Sequence, residues 1–536
     1  MKGDFTLPEN KKLVKGTIWT GNPDLPIADY FCIEGGIISR VGKLDDMPSD
    51  CTAGEVVDFT GNLIVPGFTD AHVHLTAYSK LNLYPNLASA SSIEELGEML
   101  SKAVSEAERG SWVRCINYNE ANWAKPVIPD RLFLDSIAPD NPVIVSRYCG
   151  HTHIVNSAAL KKCGLWDSGD PNIMRDAAGQ PTGLINEGGA SSIIDAVAGE
   201  YETHERLKKI MRDACRKLSS LGITAVHACD APSYALGENL SVLQDIEKEG
   251  DLPIRVLCYH DELPNYTFKS GYGNDKISFA GLKLFMDGSL GGHTAALRDE
   301  YSDDASTKGQ LNHSSDDLEK IITSAHKKGI QVQIHAIGDR GIEQILDVLE
   351  KVISKNGIPD LPYRINHAIV CPPDLMERIV KISAVVDVQP TQAYTDRMMA
   401  PLRLGSKRMP YSYCYKTMMD SGIMLTGSSD APIEDPNPWI AIWTAVCLSD
   451  TDGSPLKGFA PWEKLKLEEA LRIFTVNPWI AVGKGGEFGT IKKGRRADFA
   501  VIDGNPMQID VNALRNVDNK ATFVNGECVW NKEEKH

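Results

Sequence analysis

Eight short apolar runs recur between Ile64 and Thr426, and they limit the folds open to this chain more than any other feature. They are Ile64–His74, Ile223–His227, Ile254–Tyr259, Gly281–Met286, Gln331–His335, Tyr363–His367, Ala384–Gln389 and Ile423–Thr426. Helical periodicity separates several of them. Leu207, Ile210, Met211, Ala214 and Leu218 form one stripe, closed by Gly222. Leu318, Ile321, Ile322 and Ala325 form a second, closed by Gly329, and Ile342, Ile345, Leu346 and Leu349 a third. Alternating strands and helices specify a parallel sheet covered by helices, and eight strands close a (β/α)8 TIM-like barrel.

Both ends of the chain read differently. Leu13–Trp19, Tyr30–Glu34 and Gly36–Gly42 are strand-like runs between Gly, Pro and Asn signals, as are Gly489–Ile502 and Ala521–Trp530. We therefore expect a small β-sandwich domain built from residues 1–63 and 487–536, flanking a barrel over 64–486. Between His74 and Ile223 lie about 150 residues, far more than a barrel connection needs. The expectation is an inserted α/β subdomain over 76–215, covering the mouth of the barrel. Its helix, Ile93–Arg109, opens with Ser91 and Ser92 at capping-box spacing from Glu94 and Glu95. Trp112–Tyr118 and Pro142–Tyr148 read as its strands.

Chemistry concentrates at the strand ends. His72 and His74 close the first run, and residues i and i+2 of a strand share a face, so both imidazoles address one point. Lys283 lies in the fourth run, His335 ends the fifth, His367 ends the sixth, and Asp430 follows the eighth. A barrel gathers these ends on one face, where its active sites sit. Any one of them has a bland reading: a lone histidine as a bonded core residue, Asp430 as a turn cap. Their joint placement suits a divalent transition metal. Asp287 and Asp339 follow ligand-bearing strands and either support ligands or cap the next helix. The run Lys492–Arg496 reads as decoration of a β-turn, and Gly483-Lys-Gly-Gly486 lacks the spacing of a phosphate loop.

Composition narrows the partners. A formal charge of −16 disfavours nucleic acid and anionic membranes. The 12 cysteines form no Cys-x-x-Cys pair, and free cysteines in a large soluble protein suggest a reducing compartment. With neither an apolar N-terminal leader nor a run of about 18 apolar residues, the expected location is the cytoplasm. The expected partner is a small-molecule substrate, with no nucleic acid and no membrane, in a homodimer.

As a set and in this order, six segments are highly specific: Val65-Pro-Gly-Phe-Thr-Asp-Ala-His-Val-His-Leu75, Lys283-Leu-Phe-Met-Asp-Gly-Ser-Leu-Gly291, Gln333-Ile-His-Ala-Ile-Gly-Asp339, Arg364-Ile-Asn-His-Ala368, Gly427-Ser-Ser-Asp-Ala-Pro432 and Gly494-Arg-Arg-Ala-Asp-Phe499. Through them, nearly the whole chain resembles the amidohydrolase superfamily of metal-dependent hydrolases. It is closest to the amidohydrolase-3 branch, which includes YtcJ-like proteins and N-substituted formamide deformylases.

The resemblance implies a binuclear centre. His72, His74 and Asp430 would bind one metal, His335 and His367 a second, and Lys283 would bridge them as a carbamate. An ammonium has no lone pair to give a metal, whereas a carbamate offers two oxygens and a charge. Two zinc ions per chain are expected from the histidine-rich donor set, with Fe, Mn or Ni as alternatives. A metal-bound hydroxide would cleave a C–N bond of amide or formamide type, with Asp430 as general acid and base. The alternatives are a mononuclear deaminase, an ester or carbamate hydrolase of the same fold, and, more distantly, a non-enzymatic relative.

Two positions depart from the family pattern. Asn366 stands where Glu is usual, and His293 where Arg is frequent. His293 reads as an exposed loop residue or a substrate contact. His151, His153 and Glu187, in the insertion, are further candidates for substrate contact. His227 ends the second run but matches no ligand position.

Overall fold

The computed structural model describes residues 11–49, 51, 54–81, 83–120, 123–147, 152–230, 236–262 and 268–534. The eight expected runs form one eight-stranded parallel sheet. Its strands are β1 (Phe68–Val73), β2 (Ile223–Ala228), β3 (Arg255–His260), β4 (Ile277–Phe285), β5 (Gln331–Ala336), β6 (Arg364–His367), β7 (Val385–Val388) and β8 (Met424–Gly427). Every residue of β1, β2, β6 and β7 is buried, as strands covered on both faces must be. The seam between β8 and β1 is closed just past the strand ends. There Asp430 N–H donates to His72 O and His74 N–H to Ala431 O, both at 2.8 Å.

The apolar stripes lie on the helices foreseen. Ser315–Lys327 buries Leu318, Ile322 and Ala325. Its N-terminus is capped by the Ser314 hydroxyl, which accepts Asp317 N–H at 3.2 Å. Asp339–Asn356 buries Ile342, Ile345, Leu346 and Leu349 against the sheet side of its stripe. His204–Ser220 carries the earliest stripe.

The run read as one strand over Ile64–His74 is two. Glu55–Pro66 belongs to the sheet of the chain ends and only Phe68–Val73 to the barrel. Gly67 divides them, because a Cβ there would sit 2.1 Å from Thr224 Oγ1 of β2. The backbone crosses from one sheet to the other where no side chain fits.

Both chain ends meet in a seven-stranded sheet, in the order Glu527–Asn531, Asn519–Val524, Phe499–Ile502, Glu55–Pro66, Lys11–Trp19, Ile27–Glu34 and Ile37–Gly42. Phe499 stacks on Phe523 at 4.4 Å and meets the edge of Phe31 at 5.1 Å, inside a core that includes Val14, Ile64 and Val501. A buried ion pair, Arg255 Nε to Asp498 Oδ2 at 2.7 Å, ties this sheet to β3.

Residues 78–211 form a separate compact unit. It holds a five-stranded sheet in the order Val113–Tyr118, Val143–Arg147, Thr152–Val155, Pro181–Asn186 and Ile173–Arg175. The helix Ile93–Ser105 packs Leu96 and Leu100 against Val113, Val145 and Ile154. Its capping residues act as expected: Ser92 Oγ accepts Glu95 N–H at 3.3 Å, and Glu95 Oε2 accepts Ser91 N–H at 2.8 Å. The helix ends at Ser105, short of Arg109. Among the described residues no helix is long and apolar enough to cross a membrane.

Candidate metal centre

His72 and His74, two apart at the end of β1, present both imidazoles to Asp430. Their Nε2 atoms lie 3.3 and 3.2 Å from its Oδ1. Asp430 reaches them because the turn after β8 is fastened to β1. Asp70 Oδ1 accepts Ser429 N–H at 3.1 Å, and the Ser429 hydroxyl donates to Asp70 Oδ2. One ligand atom from each of His72, His74 and Asp430 falls within 4.8 Å of the others.

The remaining expected ligands join the same cluster. His367, ending β6, has its ring 5.4 Å from that of His72 and 4.4 Å from that of His335, on β5. Lys283, on β4, points Nζ to within 3.3 Å of His72 Nε2 and donates to Asn366 Oδ1. Four imidazoles, a carboxylate and an amine thus meet at the C-terminal end of the barrel.

Hydrogen bonds fix which nitrogens are free. Gln389 Oε1 accepts from His367 Nδ1 at 2.7 Å, which leaves the lone pair on Nε2. Gly288 O lies 3.1 Å from His335 Nε2; a carbonyl only accepts, so the free lone pair of His335 is on Nδ1. His367 Nε2 and Asp430 Oδ1 are buried with no directed hydrogen bond. Such atoms are costly to leave unsatisfied, and a cation satisfies them. The donor set fits a divalent metal.

Electrostatics agree with that fit. Burial, then the nearby Lys283, holds His72 well below the ordinary histidine value. Burial, then His335, does the same to His367. Neutral imidazole is the form that binds metal. Burial lowers Lys283 to about 8, bringing its amine form within reach near neutral pH. Burial alone would raise the Asp430 carboxyl, but His74 and Lys283 beside it outweigh that and hold the group below its usual value.

Beneath the cluster lies a polar network with no exposed side-chain surface on its central pair, Arg364 and Asp387. Arg364 donates to Asp387 Oδ1 at 2.6 Å, to Tyr259 Oη at 2.7 Å and to Ala71 O at 2.9 Å. Asp387 also accepts from Gln333 Nε2 at 2.9 Å and Asn366 Nδ2 at 2.7 Å. His227 Nδ1, 2.9 Å from Arg364 Nη1, is engaged in this network.

The peripheral candidates have these surroundings. His293 pairs with Asp303 Oδ1 at 3.2 Å and contacts the Tyr301 ring, as a residue of the loop after β4. His153 is buried in the inserted unit, 2.9 Å from Ser146 Oγ. His151 and the Glu187 side chain lie outside the described residues. Asp287 braces the site, accepting Ile337 N–H at 3.0 Å and Gly338 N–H at 2.9 Å, with His335 Nε2 at 3.4 Å. Asp339 opens its helix and accepts Arg298 N–H at 2.9 Å. Sequence reasoning missed Asp70, Asp387 and Gln389, whose one signal was a polar side chain within or just past an apolar strand.

Comparison with known proteins gives matches over most of the chain. The sequence model described as the amidohydrolase family matches residues 55–530. YtcJ of Bacillus subtilis (strain 168) is 30% identical over 511 residues, covering 93% of this chain and 95% of that protein. The N-substituted formamide deformylase of Arthrobacter pascens is 25% identical over 524 residues, covering 93% and 94%. The crystal structure of a metal-dependent hydrolase from Pyrococcus horikoshii OT3 superposes with a TM-score of 0.79 at 28% identity, covering 94% of this chain and 99% of that one.

Proposed function

The chain belongs to the amidohydrolase family, and on that footing we propose that it hydrolyses a carbon–nitrogen bond of amide or formamide type in a small organic substrate. The observation that carries this reading is the meeting of His72, His74 and Asp430 with His335, His367 and Lys283 at the C-terminal end of the barrel. The bond type is that acted on by its relative, the N-substituted formamide deformylase.

In this reading His72, His74 and Asp430 would hold one divalent ion. His335 and His367 would hold a second. Lys283, as a carbamate, would supply further oxygen donors. Zinc is the expected metal, and Fe, Mn or Ni suit the same donors. When bound, such an ion lowers the pKa of water to about 7 and polarises a carbonyl. Asp430 is placed to take a proton from water and return it to the leaving nitrogen. The network around Arg364 and Asp387 keeps bulk water out from below. We expect a cytoplasmic homodimer.

One observation favours a second reading. Among the described residues, His72, His74 and Asp430 form the group of His, Cys, Asp and Glu side chains with ligand atoms close enough for a metal. A single ion there would suit a deaminase or an ester or carbamate hydrolase of the same fold.

Elemental analysis of wild type and Lys283→Ala, with a panel of N-substituted amides and formamides read for primary amine and of amino-substituted aromatic heterocycles read for ammonia, separates the two. About two metals per chain, fewer in the variant, with primary amine released, supports the proposal. About one metal in both proteins, with ammonia released, selects the mononuclear deaminase.

A further inference from the structure

Asn366 is the one departure from the family pattern that the structure places against an expected ligand. It lies on β6, without exposed surface, between Lys283 and Asp387. In the β6–β7 ladder it is the register partner of Asp387. Its amide is therefore not free to turn. The Asp387 carboxylate only accepts, so Asn366 must give it Nδ2–H, at 2.7 Å. Its Oδ1 then faces Lys283 Nζ and accepts from it. Asp387 is itself held by Arg364, Gln333 and Thr426, one from each of three strands.

We propose that Asn366, oriented by Asp387, is the positioning residue for a carbamate on Lys283. The inference rests on the bridged reading above. When Lys283 reacts with carbon dioxide, the Nζ lone pair forms the new N–C bond. One C=O electron pair moves onto oxygen, and one Nζ–H proton leaves to solvent. A single N–H remains. A carbamate is planar, so fixing that N–H fixes the plane in which the two oxygens lie. Asn366 Oδ1 is the acceptor that fixes it. The carboxylate usual at this position would accept the same N–H. Here the acceptor is neutral, and the charge sits one strand over, on Asp387, paired with Arg364. A purely space-filling asparagine would not need its oxygen turned to Lys283.

The test loads the zinc-reconstituted enzyme with [13C]bicarbonate and reads the carbamate carbon by NMR, alongside metal content and thermal melting. Asn366→Leu, which removes the acceptor, should lose most of the carbamate signal while the protein still melts cooperatively, with metal affinity falling about 10–100-fold. Should Asn366→Leu not fold, Asn366→Ala removes the same acceptor with less bulk. A Leu or Ala variant with wild-type signal overturns the inference alone. A wild-type enzyme without the signal overturns both the inference and the bridged reading.

Discussion

Gln389 Oε1 accepts the Nδ1–H of His367 at 2.7 Å, and the rest of the glutamine is arranged so that it can do nothing else. Its Nε2 donates to Ser428 Oγ at 2.8 Å and to Asp387 O at 3.1 Å. The amide cannot flip without losing both, so His367 keeps its lone pair on Nε2, toward the other ligands. Gln389→Leu should free the ring to change tautomer and orientation. Metal affinity is expected to fall about 10–100-fold, the usual effect of removing such a support. Competition against a chelator measures it, and unchanged affinity would show that the cluster itself orients His367.

In the proposed reaction Asp430 has two duties, metal ligand and proton carrier, that substitution can separate. Asp430→Asn keeps an oxygen for a metal but gives up the charge and the ability to take a proton. His74→Ala removes a ligand and leaves Asp430 intact. Once metal is resupplied in excess, kcat of Asp430→Asn on any identified substrate should remain about 10²–10⁴-fold below wild type. His74→Ala should instead recover in proportion to the metal it regains. Equal recovery by both variants would leave Asp430 as a ligand only.

The barrel was legible because its strands are apolar on both sides and its helices carry apolar stripes at helical spacing, both of which a sequence displays directly. The cluster of histidines, lysine and aspartate was legible because each falls in or just past the end of a barrel strand. Two things were not. Gly67 marks the crossing from one sheet to the other only because Thr224, distant in sequence, occupies the space a Cβ would take. A run of apolar residues says nothing about which sheet each half joins. Likewise Asp387 within β7 gives no sign in sequence of Arg364 and Asn366 beside it, since pairing across parallel strands is fixed by register. His293 was left between loop residue and substrate contact; the structure adds its pairing with Asp303, which sequence does not show.

Arg364 and Asp387 each have no exposed side-chain surface. Breaking a buried pair from one side leaves the partner's charge unpaired in a low-dielectric interior, at a cost of about 3–5 kcal/mol. Arg364→Met should incur this and also leave Tyr259 and Ala71 O without their donor. Replacing both, Arg364→Met with Asp387→Leu, removes the charge pair together and should recover much of that loss. Urea denaturation of the metal-free proteins gives the comparison. A single variant as stable as wild type would mean that water reaches Asp387.

Glu434 gives a pH-dependent contrast. Its Oε1 accepts the Thr395 hydroxyl at 2.6 Å, and burial, reinforced by Asp396, Asp430 and Asp435, raises its carboxyl from 4.5 to about 7. Between these two values the folded protein keeps a proton that the unfolded chain has lost. The folded state then binds more protons than the unfolded one, so this group's contribution to stability falls as pH rises through that window. Above it the full cost of a largely buried charge is present. Glu434→Gln carries no charge at any pH and is free of that cost. The variant should therefore be more stable than wild type at pH 8, on the order of 1–2 kcal/mol after allowing for the group's residual contact with solvent. Near pH 4.5 the advantage should vanish, because Glu434 is then protonated in the folded protein as well. Thermal melts of the metal-free pair at both pH values isolate the effect, since every other titrating group is common to the two proteins. A difference in melting temperature that does not change with pH would mean that Glu434 keeps an ordinary carboxyl and that solvent, not the loop after β8, surrounds it.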